Sequence, residues 1–254
     1  MFYKIKKLVH KFLLWCKVKS NLTKVINFRA GNEKVSAIMQ PPLPAAKCIP
    51  DWYKNLSLYV TDNGNPISPE GNTNLTAKAC VPVLDALTTG YIVTLPCDII
   101  FVDPKEYGHR VIWEVSWDVI SSHSPAQMGN QAPDGYESRP LKWEGNWETI
   151  TPEGYSILIT HPFYRYDLPF ITTTAIVDSD KFTRRLNLPF FIKEGFVGTI
   201  PKGTPIAQMI PIKRETWEST VLPYDPKSDH SLDDLKTTIF RSYKTRWWNK
   251  KTYR

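Results

Sequence analysis

The sequence predicts a mainly-β protein, and three observations carry that reading. Short apolar runs rich in β-branched and aromatic residues follow one another from about Val81 onward. Prolines outnumber glycines, 21 to 12, so the runs are punctuated rather than flexible. Residues 195–214, GFVGTIPKGTPIAQMIPIKR, combine a chain reversal at Pro201, Lys202 and Gly203 with an apolar strand over 206–212 that carries one amide, Gln208. The other strands are expected to converge on this hairpin. With 254 residues, 42% of them hydrophobic, there is material for one large β domain or two small ones.

The elements follow in order. Residues 2–18 place Phe2, Ile5, Val9, Phe12, Leu13 and Cys16 at helical spacing, with the lysines mostly elsewhere on the wheel, which predicts a basic amphipathic helix. Such a helix suits an anionic membrane surface or nucleic acid, or packs on the domain or on a neighbouring subunit. Residues 40–57 begin as an extended Pro-rich linker and end in Trp52 and Tyr53, which either pin the linker to the core or form a shelf for a peptide or sugar. Residues 61–74 read as a polar loop.

Strands are predicted over 91–95 and 99–102, broken by Pro96, and over 111–120, where Val115, Trp117 and Val119 alternate with Glu114, Ser116 and Asp118. Residues 123–140 read as a surface loop, 143–150 as apolar, 151–154 as a tight turn. Further strands are predicted over 155–160, 170–177 and 188–192 before the 195–214 hairpin. The chain therefore divides into a basic helix (1–24), a Pro-rich linker and loop (25–80), a β core (81–222) and a basic aromatic tail (223–254).

Charge follows the same division. The formal net charge is +7, yet residues 1–24 and 235–254 each hold seven basic residues and no acid, which leaves 18 basic against 25 acidic residues between them. An anionic partner should meet the ends before the core. In the tail, Arg241, Lys244, Arg246, Lys250 and Lys251 interleave with Trp247 and Trp248, a pattern that suits phosphates and stacked bases or an arm anchored in a core. The four cysteines, 16, 48, 80 and 97, form no CxxC pair, as expected for reduced thiols in a cytoplasmic setting. The apolar run at 12–16 is too short to span a bilayer.

Four segments, LTTGYIVTLPCDI (87–99), TPEGYSILITHP (151–162), TTAIVDSDKF (173–182) and IPKGTPIAQMIPI (200–212), stand in this order. Together they resemble the blocks of the dUTP pyrophosphatase and dCTP deaminase superfamily over roughly half the chain. The chain as a whole is also similar to a family found in tailed phages and some bacteria, with its aromatic segment here at 50–54. The superfamily resemblance implies a β-clip fold, a distorted barrel of short strands, and a homo-oligomer, in particular a trimer. It implies that Asp178 is the acid that orients an attacking water, that Gln208 is the amide of the last block, and that Gly90 and Tyr91 are the glycine and aromatic of the first. Three positions depart from the pattern: Ile92 replaces a carboxylate, His161 and Pro162 stand where an Arg-Ser pair should hold phosphates, and the tail after Asp234 is basic and aromatic instead of Gly-rich.

Those departures bear on function. Triphosphate hydrolysis needs phosphate donors, a metal on oxygen ligands and a positioned base, and Asp178 supplies one of the three. The residues thus favour a non-catalytic β-clip protein of phage type acting in assembly or ligand binding, with no cofactor. A nucleotide or anionic small-molecule hydrolase is the alternative, and nucleic-acid binding through the tail is a further one. His161 with Asp167 lacks a compelling metal spacing, and Ser121, Ser122 and His123 lack a strained nucleophile elbow.

Overall fold

The computed structural model describes residues 24–62, 65–66, 75–103, 105, 110–226 and 242–254. The amphipathic helix expected over 2–18 and the tail residue Arg241 lie outside them. In chain order the elements are β1 (Asn27–Ala30), α1 (Glu33–Ile38), β2 (Leu43–Pro44), α2 (Asp51–Asn55), β3 (Thr61–Asp62), β4 (Asn65–Pro66), α3 (Val81–Thr88), β5 (Tyr91–Thr94), β6 (Ile99–Phe101), β7 (Val111–Trp113) and β8 (Ile120–Ser122). They continue with β9 (Leu141–Trp143), β10 (Trp147–Ile150), β11 (Tyr155–Thr160), β12 (Phe170–Thr172), β13 (Ala175–Val177), β14 (Leu188–Ile192), β15 (Gly198–Ile200), β16 (Pro205–Lys213) and α4 (Ser242–Arg246). The protein is mainly β, as predicted.

The strands form three principal antiparallel sheets, ordered β13-β11-β16-β5-β2, β12-β14-β9-β8 and β15-β6-β7, with β1 paired to β10 and β3 to β4. The four resemblance segments supply β5, β11, β13 and β16, which lie together in the five-stranded sheet. Between the sheets lies one apolar core that includes Phe101, Ile157, Ile159, Phe170, Phe190, Ile192, Ile200 and Met209. At its centre Trp143, 1% exposed, stacks on Phe190 at 3.7 Å and meets the edge of Phe170 at 5.1 Å. Its indole Nε1 donates to Thr172 Oγ1 at 3.2 Å, and Thr172 Oγ1 donates on to the Ile206 carbonyl at 2.6 Å, so no polar edge is stranded.

Several expectations are corrected. Residues 195–214 form no hairpin: β15 pairs with β6, while β16 runs between β11 and β5. The turn at Lys202 and Gly203, where Gly203 adopts φ +81°, hands the chain from one sheet to another. It is fixed by Lys202 N donating to Asp98 Oδ1 at 2.7 Å and Gly203 N to the Leu95 carbonyl at 3.0 Å. The run 111–120 is interrupted after Trp113, whose Nε1 donates to the Trp117 carbonyl at 3.0 Å and closes a bend, so side-chain alternation there does not mean continuous pairing. Residues 170–177 likewise divide between two sheets as β12 and β13. Residues 81–88 form α3, because Pro82 sits in the first turn, where its missing N–H costs nothing.

Residues 25–60 are no free linker. Asn32 Oδ1 caps α1 by accepting from Val35 N at 2.9 Å. Val35, Ala45 and Tyr53 are buried, and β2 adds an edge to β5, the position at which Pro44 needs no ladder N–H.

Candidate functional site

The residues assigned to the first and last blocks meet at the C-terminal end of α3. Carbonyls there lack partners within the helix. Gln208, 1% exposed in the middle of β16, supplies them: Nε2 donates to the Ala86 carbonyl at 2.9 Å and to the Thr89 carbonyl at 2.7 Å. Its Oε1 accepts from Phe163 N at 3.1 Å. Gly90 follows at φ +71°, and a Cβ there would fall 2.1 Å from the Met209 carbonyl oxygen. Tyr91 packs its ring edge-on against Phe28 at 5.2 Å and Tyr253 at 5.9 Å, and its hydroxyl donates to the Arg254 carbonyl at 3.3 Å. Burial pushes the Tyr91 phenol up from its ordinary value.

Asp178 lies elsewhere, in a carboxylate-guanidinium knot that the sequence did not disclose. Its Oδ1 accepts from Ser156 Oγ at 2.7 Å and pairs with Arg214 Nη1 at 3.2 Å. Arg214, just beyond β16, is forked onto Asp180, with Nη1 to Oδ1 at 2.9 Å and Nη2 to Oδ2, and it also reaches the Tyr155 carbonyl and Ser156 Oγ, both at 3.1 Å. Gly154 N donates to Asp180 Oδ2 at 2.9 Å. The Asp180 side chain is 3% exposed, and the Arg214 hydrogen bonds hold its carboxyl at about 2. The registers place Ser156 opposite Ile212 and Thr160 opposite Gln208. Asp178 and Gln208 therefore mark opposite ends of β11, about 13 Å apart at strand spacing. The signal available in the sequence was the Asp178-x-Asp180 pair with an arginine closing the last strand.

Other candidates are also accounted for. His161 Nδ1 accepts from Thr172 N at 3.3 Å, which places the proton on Nε2, 3.0 Å from the Arg165 carbonyl. Burial lowers its pKa, so the ring is a neutral brace. Asp167 is engaged by Arg165, so the two do not form a ligand pair. Ser121 Oγ donates to Glu144 Oε1 and not to His123. Among the described residues no three His, Cys, Asp or Glu side chains are grouped to hold a metal ion.

The tail returns to the core. Trp248 Nε1 donates to both Asp85 oxygens, at 3.1 and 3.0 Å, and Lys251 Nζ pairs with Asp85 Oδ2 at 2.5 Å, which raises the lysine's pKa. Lys244 lies over Trp248 at 5.7 Å and Arg246 over Trp247 at 5.9 Å. Lys244, Arg246, Trp247 and Lys250 remain exposed. Asp85, the acid on α3 that organises this docking, escaped notice in the sequence because a lone acid on an apolar helix carries no motif.

No family model matches the sequence, and no curated protein matches it significantly. Among solved structures, a mutant of the dUTPase from phage phi11 of S. aureus, in a structure concerned with coordination of a structural Mg(II) ion, covers 80% of this chain and 99% of its own. The identity is 10% and the TM-score 0.33. A likeness of that size carries no inference about activity here. Among the described residues no helix is long and apolar enough to cross a membrane.

Proposed function

We propose that the chain is a non-catalytic β-clip protein of phage type, whose core provides an assembly or ligand-binding surface and whose basic, aromatic ends make contacts. The observation that carries the reading is the separation and engagement of Asp178 and Gln208. The amide is spent on α3 and Phe163, and the carboxylate is paired with Arg214 and Ser156 at the far end of β11. A base, a metal site and phosphate donors around one cleft are what hydrolysis would require. The four resemblance segments lying in one sheet support the β-clip core.

Assembly draws its support from the surface. β13 is an outer strand of its sheet, Ile176 on it is 64% exposed, and beyond β16 Trp217, Val221 and Leu222 are 83%, 100% and 81% exposed. A homotrimer is the form the resemblance implies. Pyrophosphate release from dUTP and dCTP with Mg2+ tests the catalytic half: no turnover above blank is expected, and turnover abolished by Asp178→Ala would overturn the reading. Light scattering tests the assembly half, with an oligomer expected that Ile176→Asp weakens.

The exposed Lys244, Arg246, Trp247 and Lys250 favour a second reading, single-stranded nucleic acid held by the arm. Affinity for a labelled oligonucleotide should then fall steeply with salt and with charge-removing substitutions at these positions.

A further inference from the structure

A concavity of about 440 Å³ lies between residues 47–52, the loop after β11 and the turn before β16. It is built from groups already locked in place. Trp52 is 40% exposed, yet its indole is fixed: Nε1 donates to the Tyr164 carbonyl at 3.1 Å, and its ring meets the buried Tyr53 at 5.6 Å and 89°. Tyr53 does the pinning, and Trp52 is left with ring surface in solvent. The carbonyl that holds it belongs to a residue at φ +60°, a left-handed conformation that a tyrosine adopts only at a cost.

Beside it, Arg165 Nε and Nη2 bind Asp167 Oδ1 and Oδ2, both at 2.8 Å, in a planar fork. Arg165 is largely covered at 17% exposure, whereas Asp167 is 55% exposed and presents its outer lone pairs. Lys47 and Asp51 complete the charged lining, and Pro50 and Pro205 the apolar part. Asp167 is paired with Arg165 and Asp51 with Lys54 at 2.9 Å, so the charged groups beside Trp52 are closed ion pairs, and Lys47 adds one further cation to the lining. Burial pushes the Cys48 thiol up, which keeps it protonated and unreactive.

We infer that this concavity binds a neutral pyranose, the apolar C–H face of the ring lying on the Trp52 indole and adjacent hydroxyls shared between Arg165 and Asp167. A hydroxyl donates and accepts at once, so it is served by a donor and an acceptor held side by side. A rigid aromatic face with a few placed polar groups is the usual composition of a small-molecule site. Tyr166, 81% exposed and 6.2 Å from Tyr164, extends the aromatic surface outward for a longer chain. The inference stands independently of the arm and of Asp178.

Saturation-transfer NMR and tryptophan fluorescence with methyl glycosides of glucose, galactose, mannose and N-acetylglucosamine, and with the corresponding oligosaccharides, test it. At least one glycoside should bind saturably. Affinity that tightens with chain length identifies a glycan as the source, and affinity that does not identifies a free sugar. Trp52→Ala should abolish binding and Asp167→Asn should weaken it about tenfold, while Trp217→Ala leaves it unchanged; circular dichroism reports whether each variant is folded. Absence of saturable binding across the panel, binding retained in folded Trp52→Ala, or inorganic phosphate displacing the sugar would overturn the assignment.

Discussion

Gln208 can make four hydrogen bonds and makes three of them inside the core, two to carbonyls at the end of α3 and one from Phe163 N. Gln208→Leu keeps most of the volume and strands all three partners, so a loss of about 3 kcal/mol in denaturant unfolding is expected. Asp180 makes a different demand. Its carboxyl is lowered from 3.8 to about 2, so the stability it contributes is complete above its ordinary value and is lost as pH falls toward 2. Thermal midpoints of the wild type should therefore drop through that window, and those of Asp180→Asn should drop less while starting lower. Gln208 was legible in the sequence as a buried amide because it interrupts an apolar strand. Its partners were not, since Ala86, Thr89 and Phe163 offer backbone atoms whose positions no side-chain pattern encodes.

At the scale of elements, Gly90 is the hinge between α3 and β5. Gly90→Ala would place a methyl 2.1 Å from the Met209 carbonyl at φ +71°, and a destabilisation of at least about 2 kcal/mol is expected, read from the unfolding midpoint. The strands 91–94, 99–101, 155–160 and 188–192 were legible because burial on a pleated surface selects β-branched and aromatic residues. Residues 111–120 and 195–214 misled for one reason. Alternation and a Lys-Gly turn report local backbone shape, whereas the pairing partner is chosen by the distant core. Residues 81–88 carried no assignment for another: a short, mostly apolar segment holding Pro82 and Asp85 reads equally well as strand or helix.

For the whole molecule, the separation of charge between ends and centre was legible from composition, and an arm anchored in a core was legible from the paired tryptophans, whereas the carboxylate that receives it was not. That anchoring rests on one carboxylate, Asp85, shared by Trp248 and Lys251. Asp85→Ala is expected to release the arm, seen as faster tryptic cleavage at Lys244, Arg246 and Lys250, with the core's melting temperature little changed. High salt should mimic the variant in part, because Lys251 is 48% exposed and its ion pair is screened.

The place of β16 between β11 and β5 also sets a schedule for synthesis. On the ribosome β5 emerges more than a hundred residues before β16, so β5 waits for this neighbour for roughly ten seconds at ordinary elongation rates, and β11 for about half as long or less. During that interval the edges of β5 and β11 that β16 will occupy are unpaired. A nascent chain stalled before residue 205 is thus a natural client for chaperones, and release at residue 213 is the moment from which the largest sheet can close.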